Sequence, residues 1–524
     1  MRKMLFFAML AMAALTTHFA QAGEPQRGGT LSIVIPSDIR SLDATRFNAI
    51  TDTVLHHIYE PLVGFRDDLT VGPQLAESWD VSADGRIYTF HLRQGTTYHN
   101  GDKVVAGDFK WLWDRRMASA TSSDTPWLCI PEFNGSRGLK VESVEATDDA
   151  TIVFQLAAPS TQFLTHLADP VCNAWIASPK NVDAVGQWID GSAIGSGPFE
   201  LKEWKKGQYV ALGRFANYVP LTQKRDGYSG DRTTYVDEVR FVVIPDKTAA
   251  ETALFAGQVD IVPSIQSSRV EEIESKGVTI SSAPGLSHAA ILIQTQDPLL
   301  SNVKIRLAMA HAIDLAQIAQ VMSNGVAQPN PSGVPEASAL FDKSFQDWPA
   351  YDLESAKRLL AEAGYKGELI KLQTNKSYTS MYENAVIVQG MLTAIGMNVE
   401  IETLDWATQV DNLFAGKFQL MSFGYAPRAD PLVIYGAFMG KKSEKPANQW
   451  DDPAAFDIYS KALAAGNLEE RKTLLQKLHA MMVEQIPMLG LYYPPVLDAA
   501  SPKVVGYEAW ALDKPRAWGV SKAH

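Results

Sequence analysis

The 524-residue chain is short of cysteine, of net positive charge and of catalytic signatures. Its only cysteines are Cys129 and Cys172, so a disulfide-dense small fold and a C-x-x-C redox centre are both excluded. Lys and Arg number 47 against 59 Asp and Glu, a formal net charge of −12, which argues against general binding to nucleic acid. No G-x-S-x-G, H-E-x-x-H or G-x-x-x-x-G-K-[ST] is present. Gly195-Ser196-Gly197-Pro198 starts like a dinucleotide loop, but the third glycine is missing and Pro198 breaks the geometry. The ten histidines do not cluster, and on a helix the adjacent His56 and His57 would point about 100° apart, too far to share one metal. No cofactor, no metal and no enzymatic activity are expected.

Long apolar runs are equally scarce. The one candidate is Leu5 to Leu15, which follows Arg2 and Lys3 and precedes Ala20-Gln21-Ala22, a small-x-small cleavage site. That arrangement reads as a Sec-type signal peptide over 1–22. The run is shorter than the roughly 20 residues a membrane span needs, and no cysteine follows it to take a lipid. The mature protein is expected to be exported to the periplasm and soluble. At 46% hydrophobic and 20% charged residues it has the composition of a globular protein of several lobes. In an oxidising compartment, Cys129 and Cys172 either bridge and close a loop, or remain two separate buried thiols.

Two textures divide the chain. Arg27-Gly28-Gly29-Thr30 leads into the strand Leu31 to Ile35. From about 60 to 180 short strands and turns dominate, as in the alternating Tyr88 to Leu92 between Asp84-Gly85 and Gln94-Gly95. The C-terminal half alternates strands with helices. Leu353, Ala356, Leu360 and Ala363 share a helical face, with Asp352 as cap and Gly364 as stop. Strands near Ile370, Met397 and Phe418 to Phe423 alternate with helices over Tyr382 to Ile395 and from Trp406 to Phe414. This is the pattern of α/β units with a largely parallel sheet.

Ligands of open α/β sheets bind beyond the carboxyl ends of the strands. After Phe423 comes Gly424-Tyr425-Ala426-Pro427-Arg428-Ala429-Asp430-Pro431, with a ring, a cation and a carboxylate in six residues. After the earlier strand comes Thr374-Asn375-Lys376-Ser377-Tyr378. Such groups suit a zwitterion: a carboxylate takes an ammonium, a cation takes a carboxylate, and rings cover apolar parts. Asp430 is the expected amine anchor and Arg428 a candidate anion anchor. Tyr425, Tyr378 and Trp406 are candidate walls, although Trp406 equally suits a core. Lys376, and Asp38 and Arg46 just past the first strand, are weaker candidates.

Taken together, these segments resemble the family 5 solute-binding proteins of ABC importers, the peptide, nickel and oligopeptide-binding group. The resemblance rests on Arg27 to Leu31, Leu75-Ala76-Glu77-Ser78-Trp79, Asp84-Gly85, Tyr88 to Arg93, His99-Asn100-Gly101 and Asp108-Phe109 to Trp113. It continues through Gly195 to Phe199 with Trp204, Gly257 to Ile261, Arg306 to Asp314, Ala361 to Tyr365 and Ile486-Pro487, in the family's order. It implies an α/β type II periplasmic binding protein with two lobes, hinge crossovers and an extra sheet-rich subdomain. The expected divisions are 23–58, 59–180 and 181–268 for lobe I and its subdomain, 269–490 for lobe II and 491–524 for the return to lobe I. In peptide-binding members an Asp near the segment resembling Asp430-Pro431 holds the ligand's amino group. An Arg near the segment resembling Lys376 to Tyr378 can hold a carboxylate. Here that stretch has Lys376 and no Arg, Phe423-Gly424 stands for the usual Trp-Gly, and Gln294 for a frequent Asn.

The expected function is to capture a short peptide or amino-acid-derived solute between the lobes and deliver it, as a monomer, to an inner-membrane ABC permease. A metal-chelate, opine, sugar-conjugate or glutathione-like ligand is the alternative within the class; an exported hydrolase is a more distant one.

Overall fold

The structure, a computed structural model, describes residues 25–523 except 47, 123–125 and 173; the expected leader lies outside the described residues. Three sheets carry the architecture. The first has seven strands in the order Phe199–Lys205, Tyr209–Arg214, Glu238–Val243, Thr30–Ile35, Ile261–Val262, Val496–Ala500 and Thr279–Ala283. Its centre is the parallel pair Thr30–Ile35 and Glu238–Val243, in which Leu31 lies beside Val239 and Ile33 beside Phe241. All four are fully buried, as expected for a strand covered on both faces. Gly195 and Gly197 lie against this lobe: a Cβ at Gly195 would stand 2.0 Å from the Ile58 carbonyl oxygen and one at Gly197 2.6 Å from the His57 carbonyl oxygen, so close backbone approach requires both glycines.

A second, antiparallel sheet forms the subdomain, in the order Ala76–Val81, Ile87–Leu92, Thr151–Leu156, Val141–Ala146. Tyr88, Phe90 and Leu92 alternate inward beside Ile152, Phe154 and Leu156. The helix Ala106–Ser122 brings Phe109 and Trp113 against them, and Trp113 meets Phe154 edge-on at 5.3 Å. Cys129 and Cys172, both buried in this cluster, are bonded to each other.

The third sheet has five strands, Asn398–Leu404, Leu369–Asn375, Leu420–Tyr425, His288–Ile293 and Met488–Tyr492. The first three run parallel, and His288–Ile293 is antiparallel to both of its neighbours. Helices predicted from caps fall where expected. Leu353–Ala363 starts on the Asp352 side chain and ends at Gly364 in the left-handed region; Trp406–Ala415, expected from its apolar face, is bracketed the same way by Asp405, a cap the structure adds, and Gly416.

Two short crossovers, 284–287 and 493–495, join the first and third sheets. They touch: a Cβ on Gly285 would lie 1.9 Å from the Pro494 carbonyl oxygen, so residue 285 admits no side chain. The sequence places the passage into lobe II at 268/269. The helix Val270–Ser275 and strand Thr279–Ala283 still belong to the first sheet, where Thr279–Ala283 pairs with Val496–Ala500. The passage therefore comes at 284–287. A helix–strand unit looks alike whichever sheet it joins, which is why local pattern misplaced it.

Candidate functional site between the lobes

Strand Leu420–Tyr425 opens into an exposed turn, Ala426-Pro427-Arg428, and closes at Asp430. Asp430 caps the helix Pro431–Phe438, its Oδ1 accepting the Leu432 N–H at 2.9 Å. The side chain is buried, and both carboxylate oxygens accept from Nη2 of Arg471 at 2.6 Å. Burial alone would raise this carboxyl, but the Arg471 guanidinium beside it holds it below its ordinary range. The expected amine anchor thus has its charge already balanced by an arginine of its own lobe. Its remaining contact reaches across to the subdomain, where Gln162 Nε2 lies 3.4 Å from Oδ2.

Arg428 differs. It is exposed, forms no ion pair within 4 Å among the described residues, and its one side-chain hydrogen bond goes to the Pro427 carbonyl oxygen at 2.9 Å. The strand that leads into this loop ends in a file of rings. Tyr378 meets Trp406 at 4.8 Å, Trp406 stacks on Phe423 at 5.9 Å, and Phe423 meets Tyr425 at 5.3 Å. Tyr425 lies 6.4 Å from His288, which stacks at 4.6 Å on Tyr493 of the second crossover. Tyr378 is 48% exposed and Trp406, Phe423 and Tyr425 are half-buried, whereas His288 and Tyr493 are enclosed. The three predicted walls therefore fall in one file, and the structure adds Phe423, His288 and Tyr493. Burial pushes the His288 imidazole down to about 4, so the ring is neutral near pH 7.

The facing surface comes from the subdomain and the C-terminal segment. Helix Gln162–Ala168 sits over the loop: Gln162 touches Asp430, Thr161 Oγ1 donates to the Leu463 carbonyl at 3.3 Å, and Ala429 packs against the subdomain core. The helix ends at Asp169, a half-buried carboxylate whose Oδ1 accepts the Val171 N–H at 2.9 Å. Burial pushes the Asp169 carboxyl up, offset in part by that N–H and by the charges of His166 and Arg428. Nearby, Lys514 is half-buried and donates to the Ala49 carbonyl at 3.1 Å. Burial lowers its ammonium, while Asp52, Asp513 and Asp169 pull the other way. Charges of both signs thus converge where the lobes meet.

Three weaker candidates lie elsewhere. Asp38 is taken up by its own lobe, accepting from Trp204 Nε1 at 2.9 Å and the Gly207 N–H at 2.6 Å. Arg46 pairs with Asp43 at 3.6 Å in a lobe I depression of about 760 Å³ that also includes Trp111 and Trp188. Lys376 is exposed and lies 4.9 Å over the Tyr382 ring. Sequence reasoning missed Arg471, Asp169 and Lys514. An Asp before a proline was visible at both 169 and 430, but nothing local says which one meets an arginine. Among the described residues no three His, Cys, Asp or Glu side chains come together as metal ligands.

Two α/β lobes tied by two touching crossovers, with charge and rings gathered between them, define a solute-binding protein of the periplasmic type. The chain belongs to the bacterial extracellular solute-binding proteins, family 5, whose "Middle" model matches residues 70–445. It is similar to the dipeptide-binding protein of Escherichia coli (strain K12), 26% identical over 492 residues that cover 88% of this chain and 89% of the relative. It is also similar to the heme-binding protein A of Haemophilus influenzae, 26% identical over 507 residues, covering 92% and 89%. Among solved structures, HbpA2 of Haemophilus parasuis superposes with a TM-score of 0.83 at 24% identity, covering 95% of this chain and all of that one. The periplasmic binding protein DppA of Helicobacter pylori, in complex with the peptide STSA, gives 0.71 at 26% identity, covering 95% and 99%. Both peptide-related proteins among these are named as binding proteins. No helix among the described residues is long and apolar enough to cross a membrane.

Proposed function

We propose that the chain is the solute-binding component of an ABC importer and that its cargo is a short peptide or another amino-acid-derived solute. The observation that carries this reading is the Arg428 cation, which forms no ion pair within 4 Å among the described residues and stands on the loop that follows a file of half-buried rings and packs, through Ala429, against the subdomain. A carboxylate on Arg428 and apolar side chains along Tyr425, Phe423, Trp406 and Tyr378 use what that surface offers. Relatives named for dipeptides, di- and tripeptides and glutathione support the same class. In this reading residues 1–22 are removed on export, the protein works as a monomer in the periplasm, and the closed form docks on an inner-membrane permease. Closure is driven by contacts the ligand makes better in the closed state than in the open one. A micromolar dissociation constant needs about −8 kcal/mol, within reach of a few charge-assisted bonds and ring burial.

Thermal unfolding of the purified protein against a dipeptide panel tests this. A ligand at 100 times its dissociation constant adds about 2.7 kcal/mol of stability. An absence of any shift with every di- and tripeptide removes the peptide assignment and leaves the chelate, opine, sugar-conjugate and glutathione-like ligands, which native mass spectrometry of retained cargo would distinguish.

A further inference from the structure

The two aspartates that the interlobe junction brings together are not equivalent. Asp430 is saturated: one guanidinium nitrogen reaches both of its oxygens, and the Leu432 N–H takes Oδ1 as well. A ligand ammonium arriving there would have to displace Arg471, which is itself buried. The Asp169 carboxylate accepts one hydrogen bond, from the Val171 N–H, and forms no ion pair within 4 Å among the described residues. It follows the last residue of the same short helix whose first residue touches Asp430, and Ala429 of the loop packs against the hydrophobic cluster that contains Ala168 and Cys172 on either side of it. Its position is fixed from behind. The Cys172 N–H donates to its carbonyl at 2.9 Å, Cys172 is bonded to Cys129, and Trp127 Nε1 donates to the Cys172 carbonyl at 2.6 Å. The charges of His166, Arg428 and Glu132 act on its carboxyl, and its own charge acts on the Lys514 ammonium. The two fixed cations among these, Arg428 and Lys514, form no ion pair within 4 Å among the described residues; each donates to a backbone carbonyl.

We propose that Asp169, rather than Asp430, receives the ammonium of the ligand while Arg428 takes its carboxylate, so that the junction selects solutes bearing a free amino group. This rests on the solute-binding reading above and sharpens it. An ammonium ion completes a carboxylate that has spare acceptor capacity and is partly withdrawn from water, where a charge-assisted bond is stronger than at the surface. The ligand's own carboxylate then gives Arg428 the partner it lacks.

The test is calorimetric titration of wild type, Asp169→Asn, Asp169→Glu and Arg428→Gln with three probes: Ala-Phe, N-acetyl-Ala-Phe and Ala-Phe amide. Asp169→Asn keeps the oxygen that accepts from Val171, and its melting temperature checks the fold. Expected are a loss of about tenfold or more in Ala-Phe affinity in Asp169→Asn, partial recovery in Asp169→Glu, and N-acetyl-Ala-Phe binding that is weak in wild type and unchanged by Asp169→Asn. Ala-Phe amide should instead be insensitive to Arg428→Gln. Equal Ala-Phe affinity in wild type and Asp169→Asn overturns the assignment and leaves the peptide reading standing. Failure of all three probes to bind wild type overturns the assignment, and the dipeptide panel above then decides whether the peptide reading falls with it.

Discussion

The lobe II loop at 425–430 and the subdomain turn at 169–172 each present an Asp before a proline, and they use it in opposite ways. Asp430 belongs to the interior, where it caps a helix and neutralises Arg471. Asp169 ends a helix at the lobe boundary with spare acceptor capacity. The difference teaches that a carboxylate's role is set by what reaches it through the fold and not by its motif. A charge already paired inside one lobe contributes to holding that lobe together. A charge left half-open between lobes is available to something that comes and goes.

The largest test of that contrast is Asp430→Ala. Removing one member of a buried pair leaves the other uncompensated, which costs roughly 3–5 kcal/mol. Chemical denaturation should show that loss with cargo absent, whereas Asp169→Asn should leave stability within about 0.5 kcal/mol. An Asp430→Ala protein of undiminished stability that fails to bind peptide would reverse the two roles. Next comes the bridge behind Asp169. Replacing Cys129 and Cys172 by serine reopens a loop of sequence separation 43 and should cost about 2–4 kcal/mol in denaturation. Ala-Phe affinity should fall as well, because the turn that presents Asp169 loosens; unchanged affinity would show that the turn holds without the bridge.

Arg428→Gln belongs to the open side of the comparison. Among the described residues Arg428 forms no ion pair and its one side-chain hydrogen bond goes to the Pro427 carbonyl oxygen, so stability should hardly change. Affinity for a carboxylate-bearing ligand should fall by about 1.5–3 kcal/mol, read by titration calorimetry. Unchanged affinity would move the anion anchor to Lys514.

How far could this contrast be read from the sequence? The elements were legible, because caps and periodicity are local. Asp352 and Gly364 bracket their helix as expected, the helix from Trp406 forms where its periodicity placed it, and Tyr88 to Leu92 alternates into the subdomain core. The loop at 425–430 was legible too, from its glycine, prolines and mixed charge. What could not be read were pairings across distance. Arg471 lies 41 residues beyond Asp430, and Gln162 reaches Asp430 from 268 residues away. Helix Leu468–Gln485 shows only that Arg471 falls on a helix, not that its head enters the core. The same limit misplaced the lobe boundary at 268/269, since strand Thr279–Ala283 declares its sheet only by pairing with Val496–Ala500.

His288 tests whether the ring file and the crossovers act as one unit. Its folded value of about 4 lies below the ordinary imidazole value of 6.5, so the native state binds fewer protons than the unfolded chain between those limits. The stabilising neutral form is fully present above the ordinary value and is lost as pH falls toward the folded one. Lowering the pH from 7 to 5 should therefore cost about 2 kcal/mol through this residue alone. His288→Phe should flatten that part of the pH profile, and a profile that stays unchanged would place the acid sensitivity elsewhere.

The smallest expected effect separates a wall from a core. Trp406 was equally readable as either, and the structure leaves it half-buried between Tyr378 and Phe423. As a ligand wall, Trp406→Ala should weaken aromatic dipeptides by about 0.5–1.5 kcal/mol while leaving Ala-Ala nearly untouched, because only the larger side chains reach that far along the file. As a core residue it would lower the melting temperature and weaken both peptides alike. Measuring the two affinities beside the melting curve decides between them, and the wall outcome would extend the open side of the junction from the Arg428 loop out to Tyr378.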